Sequence, residues 1–121
     1  MSKFRFYHPI EVRYGDLDPQ GHLNNAKYLT FFEQTRVHYL INLGVFEAHQ
    51  SFMEIGIILA EACVTFLKPV NFGLSLRVGA RTTRFGNKSF DMGYSLQDTH
   101  TGKEFATGSA VMVTYDYLTQ K

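Results

Sequence analysis

Hydrophobic and polar positions alternate with a period of two along residues 3–14. Phe4, Phe6, His8, Ile10, Val12 and Tyr14 share one face, and Lys3, Arg5, Tyr7, Glu11 and Arg13 share the other. This pattern predicts a half-buried strand. Pro9 removes a ladder donor, which predicts an edge position or a bulge. Over residues 25–43 the period becomes helical. Tyr28, Leu29, Phe31, Phe32, Thr35, Tyr39, Leu40 and Leu43 cover a broad face, and Val37 and Ile41 widen it. A helix this apolar is expected to have protein on most sides. Asn24 or Asn25 supplies a cap for its start and Gly44 a stop. Residues 44–55 fit a short second helix or a loop.

From Gly56 onward the helical period disappears. Residues Ile57–Phe66, Leu74–Arg84, Ser89–Gln97 and Lys103–Tyr117 read as four strands. The breaks between them fall at residues 68–73, 85–88 and 98–102, rich in Pro, Gly, Asn and Asp. Ala106, Gly108 and Ala110 give the last strand a face of small residues, where the long helix is expected to approach closely. Strand, helix and four strands joined by hairpin-like turns predict an α+β fold. One long central helix is wrapped by a curved five-stranded antiparallel sheet, in a single domain over residues 1–121. The first and last strands are expected to leave open edges that a second copy covers.

A chain of 121 residues fits one domain. Its 18 Phe and Tyr residues, with no Trp, predict a core of large flat side chains. A net charge of +1 provides no global field to select nucleic acid or a membrane surface as partner. No apolar run is long enough to span a bilayer, and residues 1–6 alternate charge with aromatic rather than forming a leader. The lone Cys63 cannot form an internal disulfide, so a cytoplasmic location is expected, with that thiol buried and inert. The five histidines lack metal-ligand spacing, and no metal or cofactor is expected. Residues 73–77 lack the second glycine of a nucleophile elbow, and residues 86–89 lack the upstream glycine of a phosphate loop.

The chemistry concentrates in Arg13-Tyr14-Gly15-Asp16-Leu17-Asp18-Pro19-Gln20-Gly21-His22-Leu23-Asn24-Asn25. A strand runs into a turn with two carboxylates, and the turn runs into the helix. An acid is thus held just ahead of a helix N-terminus, whose free N–H groups and positive dipole end suit a developing oxyanion. Carboxylate plus oxyanion site is the minimum equipment for hydrolysing an activated acyl group. Asp, Pro and Gly are also ordinary turn formers, and on composition alone turn chemistry accounts for them. Asp16 is expected to bond local backbone N–H groups.

Residues 12–36, with Arg-Tyr-Gly-Asp-Leu-Asp-Pro-Gln-Gly-His and then Asn-Asn-Ala-Lys-Tyr-Leu-Thr-Phe-Phe-Glu-Gln-Thr-Arg, resemble the hotdog-fold acyl-CoA thioesterases of the 4-hydroxybenzoyl-CoA thioesterase type. The resemblance implies Asp18 as the catalytic carboxylate, the Asn25 backbone N–H as oxyanion donor, and Gly21 as the glycine of the turn. It implies a homodimer or a dimer-of-dimers homotetramer, with sites between protomers. The expected substrate is an acyl-CoA, with coenzyme A as part of the substrate rather than a cofactor. A thioester suits so small a site, because its thiol, with a pKa of about 8.5, leaves as thiolate with little help.

His22, Asn24 and Tyr28, around the helix entrance, are candidates for contacting the substrate. Arg81, Arg84 and Lys88, gathered around one turn, are candidates for the coenzyme A phosphates. Glu33, three residues from Arg36, is a reserve carboxylate. Two other classes share the fold: a module that binds acyl-CoA or acyl carrier protein without hydrolysis, and a dehydratase or hydratase. The acid in an Asp-x-x-Gly turn favours hydrolysis over the latter. The acyl group, the carrier, and the choice between general base and covalent nucleophile stay open.

Overall fold

A computed structural model describes residues 4–44 and 56–114. The elements run β1 (Phe6–Ile10), a 3-10 turn (Tyr14–Asp16), α1 (Asn25–Asn42), β2 (Ile57–Phe66), β3 (Leu76–Phe85), β4 (Ser89–Asp98) and β5 (Glu104–Thr114). The sheet is antiparallel throughout, in the order β1-β3-β4-β5-β2, with α1 packed on one face. The expected α+β architecture of one helix against five antiparallel strands is present. The expectation for residues 45–55 lies outside the described residues, as do residue 3 of the first expected strand and residues 115–117 of the last.

α1 begins and ends where its capping residues predict. The Asn24 side chain accepts a hydrogen bond from Ala26 N at 3.0 Å, and Gly44 stops the helix at a φ of +79°. Its buried residues are Tyr28, Phe31, Phe32, Thr35 and Leu40. Phe32 stacks on Tyr94 of β4 with 4.9 Å between ring centres, and a Cβ at Gly108 would stand 2.5 Å from the Phe32 ring. The small face of β5 is therefore the seat of the helix, as its residues predict. Among the described residues, only the sheet side of α1 is covered. Leu29 is 40% exposed, and Glu33 and Gln34 face solvent, so the expectation of protein on most sides is not met by one chain.

Four further expectations are corrected. The first strand is shorter than its alternation, because Arg13 N donates to Asp16 Oδ2 at 2.8 Å and pulls the chain into the 3-10 turn. Tyr14 is consequently 86% exposed, and Phe4 leaves the face of Phe6 to pack over Gly79. The last strand is not an edge. β5 lies between β4 and β2, so the edges are β1 and β2. The connection over residues 67–75 does not fold back as a hairpin. It lies along the Asp18 turn, with Leu23 N donating to Val70 O at 2.8 Å and His22 bridging to Asn71. Cys63 is in turn exposed on the β2 edge rather than buried.

The prediction that Pro9 marks an edge is met, since β1 pairs only with β3. Across this edge, His8 stacks on His38 of α1 at 4.1 Å. Burial first, and then the neighbouring charge of His38, lower the pKa of His8. Between that depressed value and the ordinary one near 6.5, the unfolded chain holds more protons than the folded one. Stability therefore rises with pH through this window and is lost as pH falls through it. The midpoint of urea unfolding should drop as the pH is lowered from about 7.5 through this window, and His8→Gln should flatten that drop.

Candidate active site

The turn between β1 and α1 builds itself from its own backbone. Asp18 N donates to His22 O at 2.8 Å and Gly21 N to Asp18 O at 2.9 Å, closing a tight loop. Gly21 sits at a φ of +81°, a conformation that favours glycine. The Asp18 side chain locks the same loop, its Oδ1 accepting from Gln20 N at 2.9 Å and His22 N at 3.1 Å. Its Oδ2 carries no hydrogen bond among the described residues. One carboxylate oxygen thus holds the geometry and the other is open.

Asp16 has a different task. It is 1% exposed, accepts from Arg13 N, and lies 3.5 Å from Arg13 Nε and 3.8 Å from Lys27 Nζ. Desolvation alone would raise its pKa. The hydrogen bonds from Arg13 and the charges of Arg13 and Lys27 outweigh that and hold it below the usual carboxylate range. Asn24 N donates to Asp16 O at 2.8 Å, so this buried acid ties the turn to the start of the helix.

At that start, Ala26 N is taken by the Asn24 side chain and Lys27 N by Asn24 O. The Asn25 N–H has no acceptor among the described residues, and it stands at the positive end of α1. Asp18 and Asn25 line one cavity of about 370 Å³, together with Gln20, His22, Leu23, Tyr28, Phe66, Leu67, Lys68 and Pro69. Tyr28 packs edge-on against Phe66 with ring centres 4.9 Å apart. Burial and, less strongly, the charge of Asp18 raise the Tyr28 pKa, so its phenol stays protonated beside the acid.

The structure brings together Asp18, Asn25, His22 and Tyr28 of the residues singled out from sequence. Gly21 and Asn24 shape the cavity through the backbone and the helix cap without lining it. The other candidates lie elsewhere in the chain. Arg84 Nε pairs with Asp91 at 3.1 Å, Arg81 lies over the Phe4 ring, and the Lys88 carbonyl accepts from Thr114 N. Glu33 is exposed, and its neighbour Arg36 donates to the Tyr94 hydroxyl at 3.1 Å. Phe66, Leu67, Lys68 and Pro69 were not singled out, because they reach the site only through the crossing of residues 67–75. The one local signal was a Lys-Pro break ending an apolar strand.

The sequence profile of the thioesterase-like superfamily matches residues 12–121, and the chain belongs to that superfamily. Its fold is the hotdog fold of acyl-CoA thioesterases. A thioesterase of Thermus thermophilus, solved with coenzyme A and Zn, is 30% identical with a TM-score of 0.83, over 97% of this chain and 84% of that one. A protein of Xanthomonas campestris assigned as an acyl-CoA thioesterase is 29% identical with a TM-score of 0.82, over 95% of this chain and 96% of that one. The uncharacterized protein YsmA of Bacillus subtilis is 28% identical over 112 residues, which are 93% of this chain and 74% of that one. Two of these three proteins carry the name thioesterase. No helix among the described residues is long and apolar enough to cross a membrane.

Proposed function

We propose that the chain hydrolyses an acyl-CoA thioester, with Asp18 as general base or nucleophile and the Asn25 N–H as oxyanion donor. One observation carries this reading. A carboxylate with an oxygen unbonded among the described residues, and a helix-start N–H with no acceptor among them, line the same cavity. Asp18 takes a proton from water as the water oxygen adds to the thioester carbon, or its own oxygen adds and water then opens the mixed anhydride. In either route the carbonyl electron pair moves onto oxygen, where Asn25 N–H and the helix dipole hold it. Collapse breaks the C–S bond, and coenzyme A leaves as thiolate to take up the proton. Rapid quench of a single turnover with a labelled acyl group separates the routes, since only the covalent one passes the label through a protein-bound acyl intermediate.

The walls suit an acyl group. Leu23, Tyr28, Phe66 and Leu67 supply apolar surface, and Phe66 is 48% exposed in the single chain. The test is free-thiol release from a panel of aromatic, short-chain and long-chain acyl-CoAs. Hydrolysis of one group well above the others supports the reading and names the pocket. Tight binding without thiol release would replace it with a binding module.

A homodimer or dimer of dimers completes the proposal. β2 is an open edge that also exposes Leu59, and a second chain covering it would reach the cavity wall at Phe66. Sedimentation equilibrium should give at least twice the 13.9 kDa of the chain, and a monomer at micromolar concentration would refute it.

A further inference from the structure

Buried tyrosine hydroxyls ordinarily find a hydrogen-bond partner, and those of Tyr39 and Tyr94 do. Tyr39 bonds the Thr82 hydroxyl at 2.9 Å and accepts from Thr82 N at 3.2 Å, and Tyr94 accepts from Arg36 at 3.1 Å. Tyr28 is only 2% exposed, yet its hydroxyl has no hydrogen-bond partner among the described residues. Nor is that hydroxyl sealed in apolar surroundings. Asp91 Oδ1 is the one sealed and unbonded side-chain polar atom among the described residues, and Tyr28 lines the cavity of Asp18 and Asn25. Phe66 meets its ring edge-on with ring centres 4.9 Å apart, so the phenol is held in place. It is a positioned donor that opens onto the cavity and lacks an acceptor.

The oxyanion site at the start of α1 is short of donors. Ala26 N is taken by the Asn24 side chain and Lys27 N by Asn24 O, which leaves the Asn25 N–H. A carbonyl oxygen has two lone pairs and gains a third as the adduct forms, so one donor leaves it undersupplied. Tyr28 follows Asn25 by three residues, on the same side of the helix, and helix side chains lean toward the N-terminus. Gln20, His22 and Lys68 also line the cavity, but Gln20 and Lys68 are exposed and His22 is half-buried, where water competes for them. Tyr28 alone of these is withdrawn from water, where a donor acts most strongly on a developing charge.

We infer that the Tyr28 hydroxyl is a second oxyanion donor, bonding the thioester oxygen together with the Asn25 N–H. The inference rests on the proposed hydrolysis and adds a catalytic residue to it. As the nucleophile adds to the thioester carbon, the carbonyl electron pair moves onto oxygen and the hydrogen bond from the phenol strengthens. The pair returns as the C–S bond breaks, and the phenol keeps its proton throughout. Burial, and then the charge of Asp18, support this by raising the Tyr28 pKa.

Tyr28→Phe keeps the ring and removes the hydroxyl. Because that oxygen has no partner among the described residues, the midpoint of urea unfolding should hold or rise. On every acyl-CoA that is hydrolysed, kcat should fall about 10²-fold with KM little changed. A near-normal kcat in the folded variant would overturn the inference. So would a loss confined to acyl groups that carry an oxygen, which would place the hydroxyl against the acyl chain. The direct readout is the infrared stretch of an isotope-labelled thioester carbonyl bound to Asp18→Asn, where turnover is slow. Adding Tyr28→Phe should raise that frequency, because the carbonyl loses a hydrogen bond. An unmoved frequency overturns the inference even where kcat has fallen, since the hydroxyl then does not touch the oxygen. If the wild type hydrolyses no thioester, the hydrolytic reading fails separately. The same comparison of wild type with Tyr28→Phe then decides on the hydroxyl, and a wild type that binds no thioester overturns both.

Discussion

Asp18→Asn should reduce turnover of the best thioester by about 10²–10⁴-fold while leaving the circular dichroism spectrum and urea midpoint near those of the wild type. The substitution separates the two oxygens of the side chain. Asparagine keeps a carbonyl oxygen able to accept from Gln20 N and His22 N, so the loop closed by Asp18 N and His22 O persists. Those two donors orient the amide, which places its NH₂ where the open Oδ2 stood. The group can then neither take a proton nor attack a carbonyl. The loss should fall on kcat, because the apolar walls are untouched. A folded Asp18→Asn protein with near-normal hydrolysis would show that the acid only shapes the turn.

Phe32→Ala should destabilise the fold by about 3–5 kcal/mol, the usual cost of a large aromatic truncation in a core, and lower the melting temperature by roughly 10–20 °C. Phe32 is 2% exposed, lies flat on Tyr94, and fills the space left by the missing side chain of Gly108. A cavity there cannot close easily, since the strands on either side are held by their ladders. The midpoint of urea unfolding should shift with little change in slope. A loss under about 1 kcal/mol would mean that α1 resettles on β5, which would move its N-terminus and impair hydrolysis as well.

What the sequence made legible was local. The span of α1 followed from its period, Asn24 and Gly44, and its seat on β5 from Ala106, Gly108 and Ala110. The Asp18 turn was readable because its hydrogen bonds join residues no more than four apart. Strand order was not, since the pairing of β2 with β5 joins residues as distant as Ile57 and Thr114, and no neighbouring residue announces it. Two misreadings followed from that one fact. Cys63 was expected in the interior although its strand is an edge, and β5 was expected at an edge although it is interior. Lys68 and the apolar wall were missed for the same reason, because only the Leu23–Val70 hydrogen bond brings residues 66–69 beside Asp18. Phe4 was misassigned differently. Strict alternation ran through it, but the gap over Gly79 takes the ring to the opposite face.

The proposed catalytic acid and the walls around it belong to separate pieces of chain. The acid's geometry is closed within residues 18–22, while Phe66 to Pro69 arrive from the far side of the sheet and touch the loop only at its margin. On the proposed hydrolysis, changes in which acyl group is accepted and changes in how it is cut are therefore largely independent. A library confined to Phe66 and Leu67 would explore new acyl groups from a catalyst that stays intact, and divergence within such a lineage can proceed without passing through inactive forms.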